Sequence, residues 1–510
     1  MKPAIIIALT ALYLAIGSLN ANALDTAPLF TDHMVLQRGK NIPVWGTASP
    51  GEPVSVTLGS RTAKTFADTN GQWKAVLKSV NSPGPYTMTV TGQKESRKFE
   101  DVLVGEVWLC SGQSNMELPL SDVNNGKEEI AAADHPTLRL FTVVKAVSDK
   151  PEAACRGSWA PCSPKPVSQF SAAGYFFGRE LQKALHGVPV GLIDSTWGGT
   201  PIEVWMSDKA LRSNRAFAGA VGTRDAMAAK PVDPALEQKV VDWTRAAETL
   251  VLEGQFEGWY PGQPFSGGRR DPLMPTGLYN AMIHPLAPYP IRGVIWYQGE
   301  ANTASGVVYR QLFPAMIQDW RTLWGQGDFP FLYVQLANFI TDPKYPVMRT
   351  GWPVIQEAQL MSLAVKNTAM AVTIDIGAPN DIHPRNKQDL GKRLALAAEA
   401  TVYHQRIPYS GPIYKSMKFV HGKIELSFTH TGGGLVARDG ALKGFVIAGA
   451  DRQFVPAQAE IRGKRILVWS DTVPNPTAAR YAWDDNPEAT LFNKAGLPAS
   501  PFRTDRDSKD

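Results

Sequence analysis

Apolar-rich runs of eight residues punctuate the middle of the chain: VLVGEVWL (102–109), VPVGLIDS (188–195), RGVIWYQG (292–299), PFLYVQLA (330–337) and AMAVTIDI (369–376). Continuous runs without polar alternation suit strands buried on both faces. Segments of helical period lie among them, at 170–186, 309–324, 354–365 and 387–403. In the last of these, Leu390, Leu394 and Ala398 recur on one face. Strand–helix alternation predicts an α/β domain on a parallel sheet over residues 101–404. Right-handed crossovers would gather the strand C-termini along one edge, where sites form.

The flanks read differently. PVSVTLG (53–59) and YTMTVTG (86–92) alternate polar and apolar positions near the turn signals Ser49-Pro50-Gly51 and Asn70-Gly71. KIELSFTH (423–430), GFVIAG (444–449) and RILVWS (465–470) do the same between glycine-containing turns. Both flanks, 24–100 and 405–510, are expected to form small antiparallel β-sandwich modules. The pattern leaves open whether they pack on each other. Residues 206–270 fit neither scheme and read as an insertion able to cover a site.

The first 23 residues carry Lys2, an apolar stretch from Ala4 to Ile16 and small residues at Ala21-Asn22-Ala23. That is the layout of a secretory signal, and it predicts a secreted or periplasmic protein, free of the membrane after cleavage. Removing it takes away one Lys and no acid, so the formal charge goes from +5 to +4. So mild a bias, without a dense Lys/Arg run, argues against a nucleic-acid partner. Of the three cysteines, Cys155 and Cys162 are the natural disulfide pair by proximity, which leaves Cys110 as a packed thiol. Three cysteines without matching His spacing argue against a zinc site.

Four polar motifs directly follow the apolar runs. SGQSNME (111–117) puts Ser114 on a turn between a strand and a helix start, where its hydroxyl can act as nucleophile and its N–H as an oxyanion donor. Simple helix capping is the bland alternative. In DIHPRNK (381–387), His383 follows the last run with Asp381 two positions before it; an acceptor that fixes the tautomer makes a histidine a base. WGGTPIEVW (197–205) offers the Gly198 and Gly199 backbone N–H groups to a substrate oxygen. WYQGEAN (296–302) offers the Gln298 amide. Trp197 and Trp296 can stack on sugar faces or simply fill the core. Glu300 and Arg385 either contact substrate or pair with each other.

In chain order, SGQSNME, WGGTPIEVW, WYQGEAN and DIHPRNK resemble the blocks of the SGNH hydrolase superfamily, specifically sialate O-acetylesterase-like carbohydrate esterases, and GLYNAMIHPL (277–286) is also similar to that group. The resemblance spans roughly residues 101–403. It implies a flavodoxin-like α/β domain without metal or organic cofactor, acting on acetylated oligo- or polysaccharides. Ser114 would attack an acetyl carbonyl, His383 would take its proton and Asp381 would orient His383. The N–H groups of Ser114 and Gly198 or Gly199, with the Gln298 amide, would hold the oxyanion. Many SGNH enzymes carry Asp three residues before the His; Asn380 stands there here, so Asp381 is the expected orienting acid and Asn380 its alternative.

Two other functions compete. A glycoside hydrolase needs two carboxylates about 5–10 Å apart, with Glu106, Glu117 and Glu300 as candidates. A non-catalytic carbohydrate-binding protein would suit the β flanks, but not the joint presence of Ser114, His383 and an adjacent acid.

Overall fold

The computed structural model describes residues 23–231, 233–253, 267–339 and 351–505. All of the expected signal but Ala23, and residues 254–266 of the expected insertion, lie outside the described residues.

Each of the five apolar runs contributes a strand: Ser96–Gly112, Val190–Thr196, Gly293–Tyr297, Phe331–Gln335 and Thr368–Val372. Four of them are buried at all or nearly all positions, and Ser96–Gly112 is buried throughout its second half, because helices cover both faces. Numbered in chain order, they pair in parallel as 2-1-3-4-5. Two strands absent from the sequence reading extend the sheet beyond Val190–Thr196. His135–Thr142 joins in parallel, and Trp159–Cys162 adds antiparallel at the edge.

Helices Ala172–Ala184 and Lys387–Thr401 pack on each other, and Gly306–Trp324 packs on Trp352–Met361. The strand order reverses at Ser96–Gly112, so the crevice beyond its C-terminal end is the natural place for a site.

That strand also ties the N-terminal module to the sheet. Residues 96–102 pair antiparallel with Tyr86–Thr91, and residues 106–112 pair in parallel with Val190–Thr196. The expected division near residue 100 thus falls inside a continuous strand, and one hydrophobic core runs from Leu24 to Ala398. Glu106 is clamped on this strand between Arg38 and Arg292.

The C-terminal strands build a separate core around Ile424, Ile447, Tyr481 and Phe502. Their module docks on the sheet domain through polar contacts: Arg503 to Glu357 at 2.9 Å, and Gln335 Nε2 to Ser500 Oγ at 2.9 Å.

The expected disulfide is corrected. Cys110, Cys155 and Cys162 are all buried free thiols, and burial pushes those of Cys155 and Cys162 up to about 12. No helix among the described residues is long and apolar enough to cross a membrane.

Candidate active site

Ser114 opens a four-residue helix, Ser114–Glu117, directly after the strand that ends at Gly112. The turn is fixed from below: Gln113 N–H donates to the Tyr297 carbonyl at 3.0 Å, and Gln113 Oε1 accepts the Ala301 N–H at 3.2 Å. Ser114 is 8% exposed, so its side chain has little freedom. His383 arrives on the segment that follows Thr368–Val372, and its Nε2 lies 2.9 Å from Ser114 Oγ.

Burial holds the His383 imidazole below its ordinary value of 6.5, and the Lys387 charge adds to this against Asp381 and Glu117. The ring is therefore neutral near pH 7 and can accept a proton. Asp381 Oδ1 accepts the His383 backbone N–H at 2.9 Å and stands 4.0 Å from Nδ1. Asn380 is exposed and its side chain makes no hydrogen bond among the described residues.

The glycine loop comes to the same place. A Cβ on Gly198 would lie 3.3 Å from Ser114 Cβ and 3.2 Å from Glu117 Oε2, so a side chain there presses on the serine. Gly199 holds φ +73° and faces open space. The Gly198 N–H donates to Glu117 Oε2, while Glu117 Oε1 pairs with Lys145. That leaves the N–H groups of Ser114 and Gly199, which make no hydrogen bond among the described residues. Gly198 thus anchors the loop, and its N–H is not free for an oxyanion as the sequence reading expected.

Burial bears on three further residues. Gln298 is fully buried; its amide donates to Asn302 Oδ1 at 2.7 Å and to the Thr200 carbonyl at 3.3 Å, and Oε1 accepts from Tyr309 Oη at 2.9 Å. It braces the loop instead of facing substrate. Trp296 is 1% exposed, wedged edge-on against Trp205 and Trp320, and belongs to the core. Glu300 is 3% exposed and accepts from Asn115 Nδ2 at 2.6 Å, so it neither reaches substrate nor pairs with Arg385.

Trp197 is also buried, at 7% exposed; it stacks on Trp243, with ring centroids 5.8 Å apart, and Lys145 Nζ lies 5.3 Å from its ring centre. Trp243 lies on helix Pro234–Glu253, so a helix of the segment 206–270 packs on the residue that precedes Gly198. Arg385 is exposed, 3.9 Å from Asp381. Glu106 pairs with Arg292, Glu117 with Lys145, and Glu300 Oε1 with Asn115.

Sequence reasoning gave no role to Asn115, Lys145 or Lys387, and took Glu117 only as a candidate carboxylate for glycoside cleavage. Asn115, Glu117 and Lys387 lie inside the motifs that carry Ser114 and His383, which was the available signal.

The family described as carbohydrate esterase, sialic acid-specific acetylesterase, matches residues 104–229 and 257–400. The sialate O-acetylesterase of Rattus norvegicus is 31% identical over 93% of each chain. That of Homo sapiens is 29% identical, over 93% of this chain and 91% of its own. Among solved structures, a carbohydrate acetylesterase from Xanthomonas citri is similar at a TM-score of 0.80 and 40% identity, covering 95% of this chain and all of its own.

Proposed function

The chain belongs to the sialic acid-specific acetylesterase family of carbohydrate esterases, and on that premise we propose that it is an exported hydrolase of O-acetylated sugars with Ser114 as nucleophile and His383 as base. The observation that carries this reading is the 2.9 Å contact between Ser114 Oγ and a neutral His383 Nε2 at the edge of the sheet.

In this mechanism Ser114 Oγ attacks the acetyl carbonyl carbon while His383 removes its proton. The oxyanion that forms takes the N–H groups of Ser114 and Gly199, which need no reorganisation at the moment of reaction. Glu117, held by Lys145, keeps the loop in place through Gly198. His383 then protonates the departing sugar oxygen, and the sugar leaves an acetyl-serine. A water molecule, deprotonated by His383, releases acetate and restores the serine. Asp381 stabilises the imidazolium that forms in both halves.

Five of the sheet's strands run in the order 2-1-3-4-5, which supports a flavodoxin-like core of the SGNH kind, extended at one side by His135–Thr142 and Trp159–Cys162. Residues 1–23 support export. The Trp197–Trp243 stack offers an apolar wall for a sugar face. Sialic acid and plant cell-wall polysaccharide acetates are the substrates in view, since the similar proteins are sialate and carbohydrate acetylesterases.

Acetate and reducing ends are to be measured together on acetylated sialic acid, xylan, xyloglucan and pectin. Acetate without new reducing ends is expected from at least one. New reducing ends would instead make the protein a glycoside hydrolase, and binding without acetate release a carbohydrate-binding protein.

A further inference from the structure

Beneath Ser114 and His383 lies a buried polar cluster that the ester chemistry above does not use. Asn115 is 2% exposed and Lys387 1%, and Glu300 is equally sequestered. Asn115 joins them. Its Nδ2 donates to Glu300 Oε1 at 2.6 Å and to the Ile382 carbonyl at 2.9 Å, and its Oδ1 accepts from Lys387 Nζ at 2.7 Å. Lys387 Nζ also sits 5.1 Å from the centre of the Tyr297 ring. Glu300 Oε2 has no hydrogen-bond partner among the described residues.

Stability does not account for such a cluster. Burying an ammonium and a carboxylate costs several kcal/mol per ion, and well-packed apolar residues often serve as well or better. Its placement is more informative. Asn115 follows the serine, Ile382 precedes the histidine, and Glu300 and Lys387 belong to the third and fourth motifs. The cluster therefore links the nucleophile turn to the histidine segment at the level of the reacting pair.

We propose that Asn115, Lys387 and Glu300 are positioning residues of the hydrolytic site: Asn115, held by Lys387 and Glu300, fixes the His383 segment against Ser114 through the Ile382 carbonyl. This rests on the Ser114–His383 reading above. Five charged groups approach His383 from the elements around it. Lys387 comes from the helix it opens, and Glu117, paired with Lys145, from the serine helix. Asp381 and Arg385 flank the ring on its own segment, 42% and 64% exposed. Solvent weakens these last two, whereas Lys387 acts from the dry side. Lys387 is itself held down to about 7 by burial, against Glu300 and Asp381, and burial raises Glu300.

The test is steady-state kinetics on a soluble aryl acetate. Asn115→Ala is expected to lower kcat about 10–100-fold with KM within about threefold, the effect of a misplaced base. Unchanged kcat overturns the positioning role. If that variant does not fold, Lys387→Met with Glu300→Gln removes both buried charges that hold Asn115 and is read the same way. Ser114→Ala separates the two levels. If it stays active, the serine–histidine reading itself fails; if it is inactive while Asn115→Ala keeps the wild-type kcat, only the present inference fails.

Discussion

Asp381 approaches His383 twice: its Oδ1 accepts the histidine's backbone N–H at 2.9 Å and lies 4.0 Å from ring Nδ1. The carboxylate thus shapes the segment and places a negative charge beside the ring. That charge favours the tautomer with its proton on Nδ1 and the Nε2 lone pair facing Ser114.

Asp381→Asn is expected to lower kcat by about two to four powers of ten, because the amide can still accept the backbone N–H but brings no charge. Asn380→Ala should stay within about threefold, since its side chain is exposed and unbonded. Steady-state kinetics on both variants, with circular dichroism for folding, checks the order. The reverse order would assign the orienting role to Asn380. Two mild effects would leave Ser114 and His383 as a dyad, because Asp375 is already committed to Arg393 and Arg438.

The parallel sheet was legible because its strands are buried on both faces and read as unbroken apolar runs. The strand His135–Thr142 was not, because its buried run, Leu138-Arg139-Leu140-Phe141, contains an arginine that pairs with Asp101. Ser114 and His383 were legible because post-strand turns with distinctive residues betray them. The oxyanion donors were only partly so. Gln298 and Gly198 have the right chemistry, but hydrogen bonding to Asn302 and Glu117 uses it up, and such pairing joins residues 4 and 81 positions apart. Trp296 and Trp197 look alike in sequence, and only packing sets the first among Trp205 and Trp320 and the second against Trp243.

The two glycines should respond differently. Gly198→Ala places a methyl 3.3 Å from Ser114 Cβ and 3.2 Å from Glu117 Oε2, so kcat is expected to fall about 100-fold through displacement of the serine or the loop. Gly199→Ala meets no atom within 4 Å but is strained at φ +73°, so its cost should be about 1 kcal/mol of stability with a smaller loss of kcat. Kinetics and thermal melts on both variants would contradict this if Gly199→Ala proved the more damaging to kcat.

Gln298→Leu separates bracing from catalysis. Removing a buried amide that serves Asn302, Thr200 and Tyr309 is expected to cost about 1–3 kcal/mol of stability, read by denaturant titration. A wild-type melting point combined with a loss of kcat of about 100-fold or more would instead make Gln298 an oxyanion donor.

His383 is held below 6.5 by burial first and by Lys387 second, so its base form persists on acidification. The acid limb of kcat/KM is expected below pH 6.5. The same shift makes this residue's contribution to stability fall as pH drops through 6.5, because the unfolded chain takes up the proton first. A limb at or above 6.5, from a pH series on an aryl acetate, would contradict the buried neutral base.

The most direct test is acetate release by pure Ser114→Ala beside the wild type, on an aryl acetate and on whichever acetylated glycan the wild type hydrolyses. Replacing the hydroxymethyl of Ser114, a residue 8% exposed, by a methyl should leave folding and melting temperature close to wild type. Activity should fall by at least three powers of ten, since both the nucleophile and the acetyl-enzyme are lost. Activity of the folded variant within about threefold of wild type would contradict the account, because no hydrolysis through Ser114 Oγ could then be taking place.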